Sequence, residues 1–132
     1  MDTILLTLKA LADRNRLRIF GALTQKEALC ACQITELLQV TGATASRHLG
    51  LLVTAGLVKS RKESRWVYFS LNEECDGMAQ ILDWLMPRLD ASGRIRADRQ
   101  ALDRIMAMEK EDLCRIQRGE ACCPAKKERT DG

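Results

Sequence analysis

QITELLQVTGATASRHLGLL, residues 33–52, reads as two short helices joined by a tight turn. Ile34, Leu37 and Leu38 give the first helix an apolar face at helical spacing. Thr41 with Gly42 makes the break, and Thr41 suits the N-cap of the second helix. In that helix Ala45, Leu49, Leu52 and Val53 are expected to face inward. The outward side then carries Thr44, Ser46, Arg47 and His48, with Thr41 at its entrance. Gly42, Ala43 and Gly50 are small enough for close approach to base edges. A guanidinium can donate two hydrogen bonds to guanine, and hydroxyls can reach bases or phosphates. The pattern is therefore a candidate DNA-reading helix–turn–helix. His48 is the only histidine, and positions 44, 51 and 52 offer it no ligand partner, so it reads as a DNA contact or a surface residue.

Downstream the period changes. VKSRKESRWVYFSL, residues 58–71, is rich in β-branched and aromatic residues around a polar centre, which predicts a two-stranded hairpin. Ser64 stands where glycine would ease the turn. Arg61, Lys62 and Arg65 fall at the hairpin tip and suit phosphates beside the groove. Helix pair plus basic hairpin is a winged helix–turn–helix. Residues 1–71 carry a net +5 and residues 72–132 a net −2, so only the first half suits a polyanion.

Upstream lies Cys30-Ala-Cys32. Residues two apart inside a helix point about 200° apart, so the pair must straddle a helix start to share a ligand. Cys30 occupies the N-cap position, with Gln33 three residues on as in a capping box. A helix N-terminus favours thiolate, hence soft-metal binding. An ion held there would pull on a helix packed against the recognition helix. Cys122 and Cys123 form a vicinal pair in the polar tail, also suited to a soft ion, while Cys75 and Cys114 read as inert thiols. No export signal is evident, so a reducing compartment is expected and a disulfide framework is not. Cys123 to Arg129 matches a C-x5-R spacing, but its interior, PAKKE, has no groups to cradle an oxyanion, and no enzyme is expected.

The remaining elements are helices. Residues 3–12 place Ile4, Leu5, Leu8 and Leu11 on one stripe, and Asp13 can cap the helix carrying Leu17, Phe20 and Leu23. From Glu73, Met78, Ile81, Leu82, Leu85 and Leu89 form a wide apolar face. Ser92 can cap one long helix through Ile95, Leu102, Ile105, Leu113 and Ile116, ending at Gly119. This is more apolar face than so small a globule needs, which suggests a subunit interface. No run is long and apolar enough for a membrane span.

KALADRNRLRIFGAL (9–23), ALCACQITELLQVTGATASRHLGLLVTAGLV (28–58) and RKESRWVYFSL (61–71) together resemble the ArsR/SmtB family of metal-responsive repressors, in its arsenic-responsive branch. The resemblance implies a mainly α fold with a small β-hairpin, a winged helix–turn–helix dimerised through N- and C-terminal helices. It implies a cytoplasmic homodimer that binds double-stranded operator DNA and lets go when an inducer binds. The expected inducer is As(III), as arsenite, antimonite or a methylated arsenical, on cysteine thiolates, with no organic cofactor. Cadmium, lead or thiol oxidation on the same fold are the alternatives. Cys30 and Cys32 match the branch's cysteines, but Thr35 stands where its third cysteine is common. The third ligand is then Cys122 or Cys123, or Cys75 or Cys114, or an inducer that needs only two thiols. The expected organisation is residues 1–91 as the DNA-binding and dimerisation domain, 92–119 as a helical extension, and 120–132 as a flexible cysteine-containing tail.

Overall fold

The computed structural model describes residues 1–117. Its elements are α1 (Asp2–Leu11), α2 (Arg14–Gln25), β1 (Leu29–Cys30), α3 (Ala31–Leu38), α4 (Gly42–Thr54), β2 (Val58–Glu63), β3 (Trp66–Leu71), α5 (Met78–Asp90), α6 (Gly93–Met106) and α7 (Lys110–Ile116). Three helices start where a short polar side chain can take up an orphan amide. Asp13 accepts from the amides of Asn15 at 2.9 Å and Arg16 at 3.1 Å. Thr41 accepts from Thr44 at 3.1 Å, and Ser92 from Ile95 at 3.3 Å. Each such cap contributes about 1 kcal/mol. Gly56 follows α4 in the left-handed region, φ +82°, as its C-terminal position requires.

The break between α3 and α4 falls earlier than expected. Gln39, not Gly42, takes the left-handed conformation, at φ 57°. Its side-chain amide donates to the Glu36 carbonyl at 2.7 Å, which satisfies one of the helix's last acceptors. Gly42 is the first residue of α4 and is buried.

The hairpin forms with Ser64 at φ 57° in its turn, pairing Val58 with Leu71 through Glu63 with Trp66. The sheet it belongs to has a third strand, however. β1 adds to the other edge of β3, antiparallel, with Leu29 opposite Phe69 and Cys30 opposite Tyr68, in the order β1-β3-β2. A two-residue strand is too short to show a period, so only its pairing reveals it. The long C-terminal helix is also corrected. It stops at Met106, where tight amide bonds from Ala107 to Arg104 and from Met108 to Ile105 end it, and resumes as α7. No glycine or proline marks the break; the chain turns there so that α7 can pack on α3.

One hydrophobic cluster unites the whole described chain. Ile19, Phe20, Leu29, Ile34, Leu52, Leu57, Leu102 and Leu113 are fully enclosed in it. Ala45 and Leu49 join Leu52 on the inner side of α4, but Val53 is 38% exposed and faces away. Between α2, α3 and α6, Arg18 grips the buried Asp98 with Nε at 2.9 Å and Nη2 at 3.1 Å, and donates to the Leu37 carbonyl at 3.1 Å. The outer side of α1 is left bare, with Ile4, Leu5, Leu6 and Leu8 exposed, and so is Trp84 on α5.

Candidate nucleic-acid interface and thiol site

α4 presents Ala43, Ser46, Arg47 and Gly50 outward, with Thr44 half-buried behind them. Thr41 is exposed at its start and donates its hydroxyl to that of Thr44 at 2.9 Å. Nothing lies near the position a Gly50 side chain would fill, so this part of the helix offers only backbone to an approaching surface. His48 is a correction. It is 7% exposed and turned inward, where Nη1 of Arg16 lies 3.1 Å from its Nδ1. A guanidinium only donates, so Nδ1 accepts and the ring is neutral. Arg16 also donates to the carbonyls of Ala10 at 2.8 Å and Lys9 at 3.1 Å, closing the C-terminus of α1. Asp13 approaches Nδ1 at 3.9 Å. His48 is therefore a joint between the recognition helix and the α1–α2 corner, not an outward contact. Burial pushes its pKa below the ordinary imidazole value; Asp13 opposes this, and Arg16 and Arg47 reinforce it.

In the wing, Arg61 and Lys62 are exposed. Arg61 pairs with Glu63 at 3.0 Å and lies 5.6 Å over the Tyr68 ring. Arg65 lies in the hairpin turn as expected, but its side chain folds back from the tip. It is half-buried, stacks 5.0 Å over Trp66, and its guanidinium is held by Glu111 of α7.

Cys30 and Cys32 come together as the spacing requires. Cys30 is the N-cap of α3, its amide donating to Gln33 Oε1 at 2.8 Å, and the Cys32 thiol donates to the Cys30 sulfur at 3.3 Å. Both are fully buried. The bond from Cys32 is the largest influence on the Cys30 thiol. Burial opposes it, and the Cys32 amide, the Lys110 charge and the Ala31 amide add to it, bringing the pKa down to about 7. At neutral pH a good fraction of Cys30 is thiolate, the form that binds metals. Two sulfurs this close can both be reached by one thiophilic ion with bonds of about 2.3 Å. Among the described residues no group of three or more histidines, cysteines or carboxylates is arranged to hold a metal. Cys122 and Cys123 lie outside the described residues.

α7 closes this site, and sequence reasoning missed it. Lys110 Nζ lies 5.6 Å from the Trp66 ring and 5.7 Å from the Tyr68 ring, beside the strand partner of Cys30. Gln117 Nε2 donates to the Cys32 carbonyl at 3.1 Å. The only hint in the sequence is that the two residues are seven apart and so share a helix face.

Residues 11–61 match the family described as a helix-turn-helix domain. The arsenical resistance operon repressor of Escherichia coli is 32% identical over 102 residues, which cover 76% of this chain and 82% of the repressor. The arsenical resistance operon repressor of Bacillus subtilis is 41% identical, and the cadmium resistance regulatory protein CadC homolog of Staphylococcus aureus 42% identical, each over 66 residues and 50% of this chain. The chain spans only 63% and 54% of the length of these two relatives. Among solved structures, reduced HlyU from Vibrio cholerae superposes with a TM-score of 0.58 at 27% identity, over 69% of this chain and 92% of that one. Across the described residues no helix is long and apolar enough to cross a membrane.

Proposed function

The chain belongs to the ArsR/SmtB family of winged-helix regulators, and from that membership we propose that it is a homodimeric repressor released from operator DNA by a thiophilic ion. The ion is trivalent arsenic or cadmium, and Cys30 and Cys32 bind it. The observation that carries this reading is the buried thiol pair, 3.3 Å apart, at the N-terminus of α3. α3 packs directly on α4, whose outer face bears Ser46 and Arg47. The relatives named for arsenical and cadmium resistance support the choice of ion class.

The repressor works by what each group can do. Arg47 and Ser46 read base edges from the major groove, with Thr41 and Thr44 near the backbone. Arg61 and Lys62 neutralise phosphates alongside. Two copies meet through the bare faces of α1 and α5 and so present two α4 helices to a two-fold site. An ion entering between the thiols removes the Cys32-to-Cys30 hydrogen bond and stiffens the start of α3. A dimer in which α3 is displaced holds its α4 pair at a different spacing, and the ion favours that dimer by its affinity for it.

The test is operator binding by fluorescence anisotropy under a non-thiol reductant, titrated separately with arsenite and with cadmium. Release is expected in wild type, and Cys30→Ser/Cys32→Ser is expected to bind DNA normally and ignore both ions. The more potent ion identifies the inducer class. Release of the double variant at wild-type concentrations would move the sensor elsewhere, and release by oxidant alone would replace metal sensing with redox sensing.

A further inference from the structure

Cys30 and Cys32 are both 0% exposed, so an ion reaches them only when something moves. The element placed to move is α7, seven residues long and packed on α3. Just past its C-terminal end, Gln117 Nε2 donates to the Cys32 carbonyl at 3.1 Å. At its start, Lys110 Nζ stands 5.7 Å from the ring of Tyr68, the residue opposite Cys30 in the sheet, and its charge acts on the Cys30 thiol. Between these contacts Leu113 is fully enclosed in the same apolar cluster as the two cysteines. A further contact leads from α7 to the DNA-binding surface: Glu111 holds the guanidinium of Arg65, in the turn of the wing. The attachments at both ends are incompletely satisfied. Arg65 Nε and Gln117 Oε1 are buried, and among the described residues neither has a hydrogen-bond partner. A buried polar atom without a partner costs free energy that water would return. A helix of two turns is also marginal by itself. Such an element opens more readily than the core around it.

We propose that α7 is a strap with two positions, and that Glu111 and an operator phosphate compete for Arg65: with the strap shut over Cys30 and Cys32, Glu111 keeps Arg65 off the DNA, and with Arg65 on a phosphate the strap is open and the thiols can be reached. This rests on the reading of Cys30 and Cys32 as the ion-binding pair. The structure holds the shut position. A carboxylate and a phosphate offer a guanidinium the same partner, two anionic oxygens, so one can replace the other. Arg61 and Lys62 stand exposed on the same hairpin, so a phosphate held by them lies within reach of a freed Arg65. A bound ion is retained while its exit is covered, so the ion favours the shut strap. DNA favours the open one. The two ligands then oppose each other through one helix, and by linkage each weakens the other by the same factor. This route runs from the thiols to the wing and is separate from the displacement of α3 against α4.

The experiment is pulsed alkylation of the full chain, reduced and free of metal, with iodoacetamide, read by mass spectrometry of the peptide that carries Cys30 and Cys32. Labelling is expected to be slow in the free protein and to quicken about fivefold or more when saturating operator duplex is added, a coupling of ordinary size. Glu111→Gln, which loosens the hold on Arg65, is expected to label fast with or without the duplex. The same variant is expected to need about fivefold or more arsenite to leave the operator. A helix that served only the stability of the fold would give no dependence on DNA. Labelling that the operator leaves unchanged or slows would overturn the inference, and so would slow labelling in Glu111→Gln. The wild-type comparison decides the matter even if the variant fails to fold. Release of Cys30→Ser/Cys32→Ser from the operator by arsenite at wild-type concentrations would instead defeat the underlying reading of the sensor, and with it the ion's part in the strap, whatever the labelling shows.

Discussion

His48 shows what a single residue does when its neighbours differ from those its sequence position suggests. On the helix it sits beside Arg47, and composition alone assigns both to DNA. In the fold only Arg47 is exposed, while His48 accepts a hydrogen bond from Arg16, which in turn closes α1. The joint depends on a neutral ring, because a protonated Nδ1 would face a guanidinium with a second donor. Its folded pKa is lowered, chiefly by burial. A base whose folded pKa is depressed binds its proton more readily when unfolded. The stability that His48 contributes is therefore full above about pH 6.5, the ordinary imidazole value, and is lost as pH falls through the lower folded value. Asp13 does not blur this window. Burial pushes its carboxyl up, but the amide and charge of Arg16 and the nearby His48 outweigh it, so it ionises below the ordinary carboxylate range. Urea midpoints for wild type should fall between pH 7.5 and 5.5, and His48→Gln, which can still accept from Arg16, should flatten that fall. Equal slopes in both proteins would remove His48 from the pH response.

At the scale of elements, local chemistry was legible and long-range chemistry was not. Asp13, Thr41 and Ser92 announce helix starts because a cap is a contact between residues two or three apart. The helix–turn–helix and hairpin are likewise local patterns, and the CxC at a helix start follows from the geometry of one turn. β1, the α6–α7 break and the inward turn of His48 are set by residues 32 to 46 or more positions away, which no periodicity encodes. Arg65 belongs to that second class. It sits in the wing's turn, yet Glu111 holds its side chain. Solvent screens an exposed ion pair of this kind, so it adds little to stability and its weight falls on DNA binding. Glu111→Gln should return Arg65 to the phosphates. The plot of log K against log salt should then steepen by about 0.9 for each additional phosphate contact, with little change in melting temperature. An unchanged slope would mean that Arg65 serves the Trp66 stack and not the DNA.

At the scale of the molecule, the bare apolar surface sets the quaternary question. Ile4, Leu5, Leu6 and Leu8 are 44–59% exposed on one ten-residue helix, and Trp84 on α5 is 60% exposed. Between them runs an apolar cleft of about 440 Å³ lined by Leu8, Leu11, Leu17, Ile81, Trp84 and Leu85. A monomer would leave this patch in water at roughly 25 cal/mol for each Å² that could be buried. In the proposed homodimer a second copy related by two-fold symmetry would cover it with the same patch, the arrangement a palindromic operator would require. Leu8→Glu placed at the centre of that contact would bury a carboxylate against apolar side chains, a cost the dimer cannot recover without a partner charge. Sedimentation velocity at micromolar concentration should show a dimer for wild type and a monomer for Leu8→Glu. Binding to the full operator should drop roughly 10²–10⁴-fold, because the second recognition helix is no longer tethered to the first. Binding to an isolated half-site should be unchanged, since α4 and the wing are intact in each copy. A variant that stays dimeric with full operator affinity would place the subunit contact on another face and leave the α1–α5 cleft without that role.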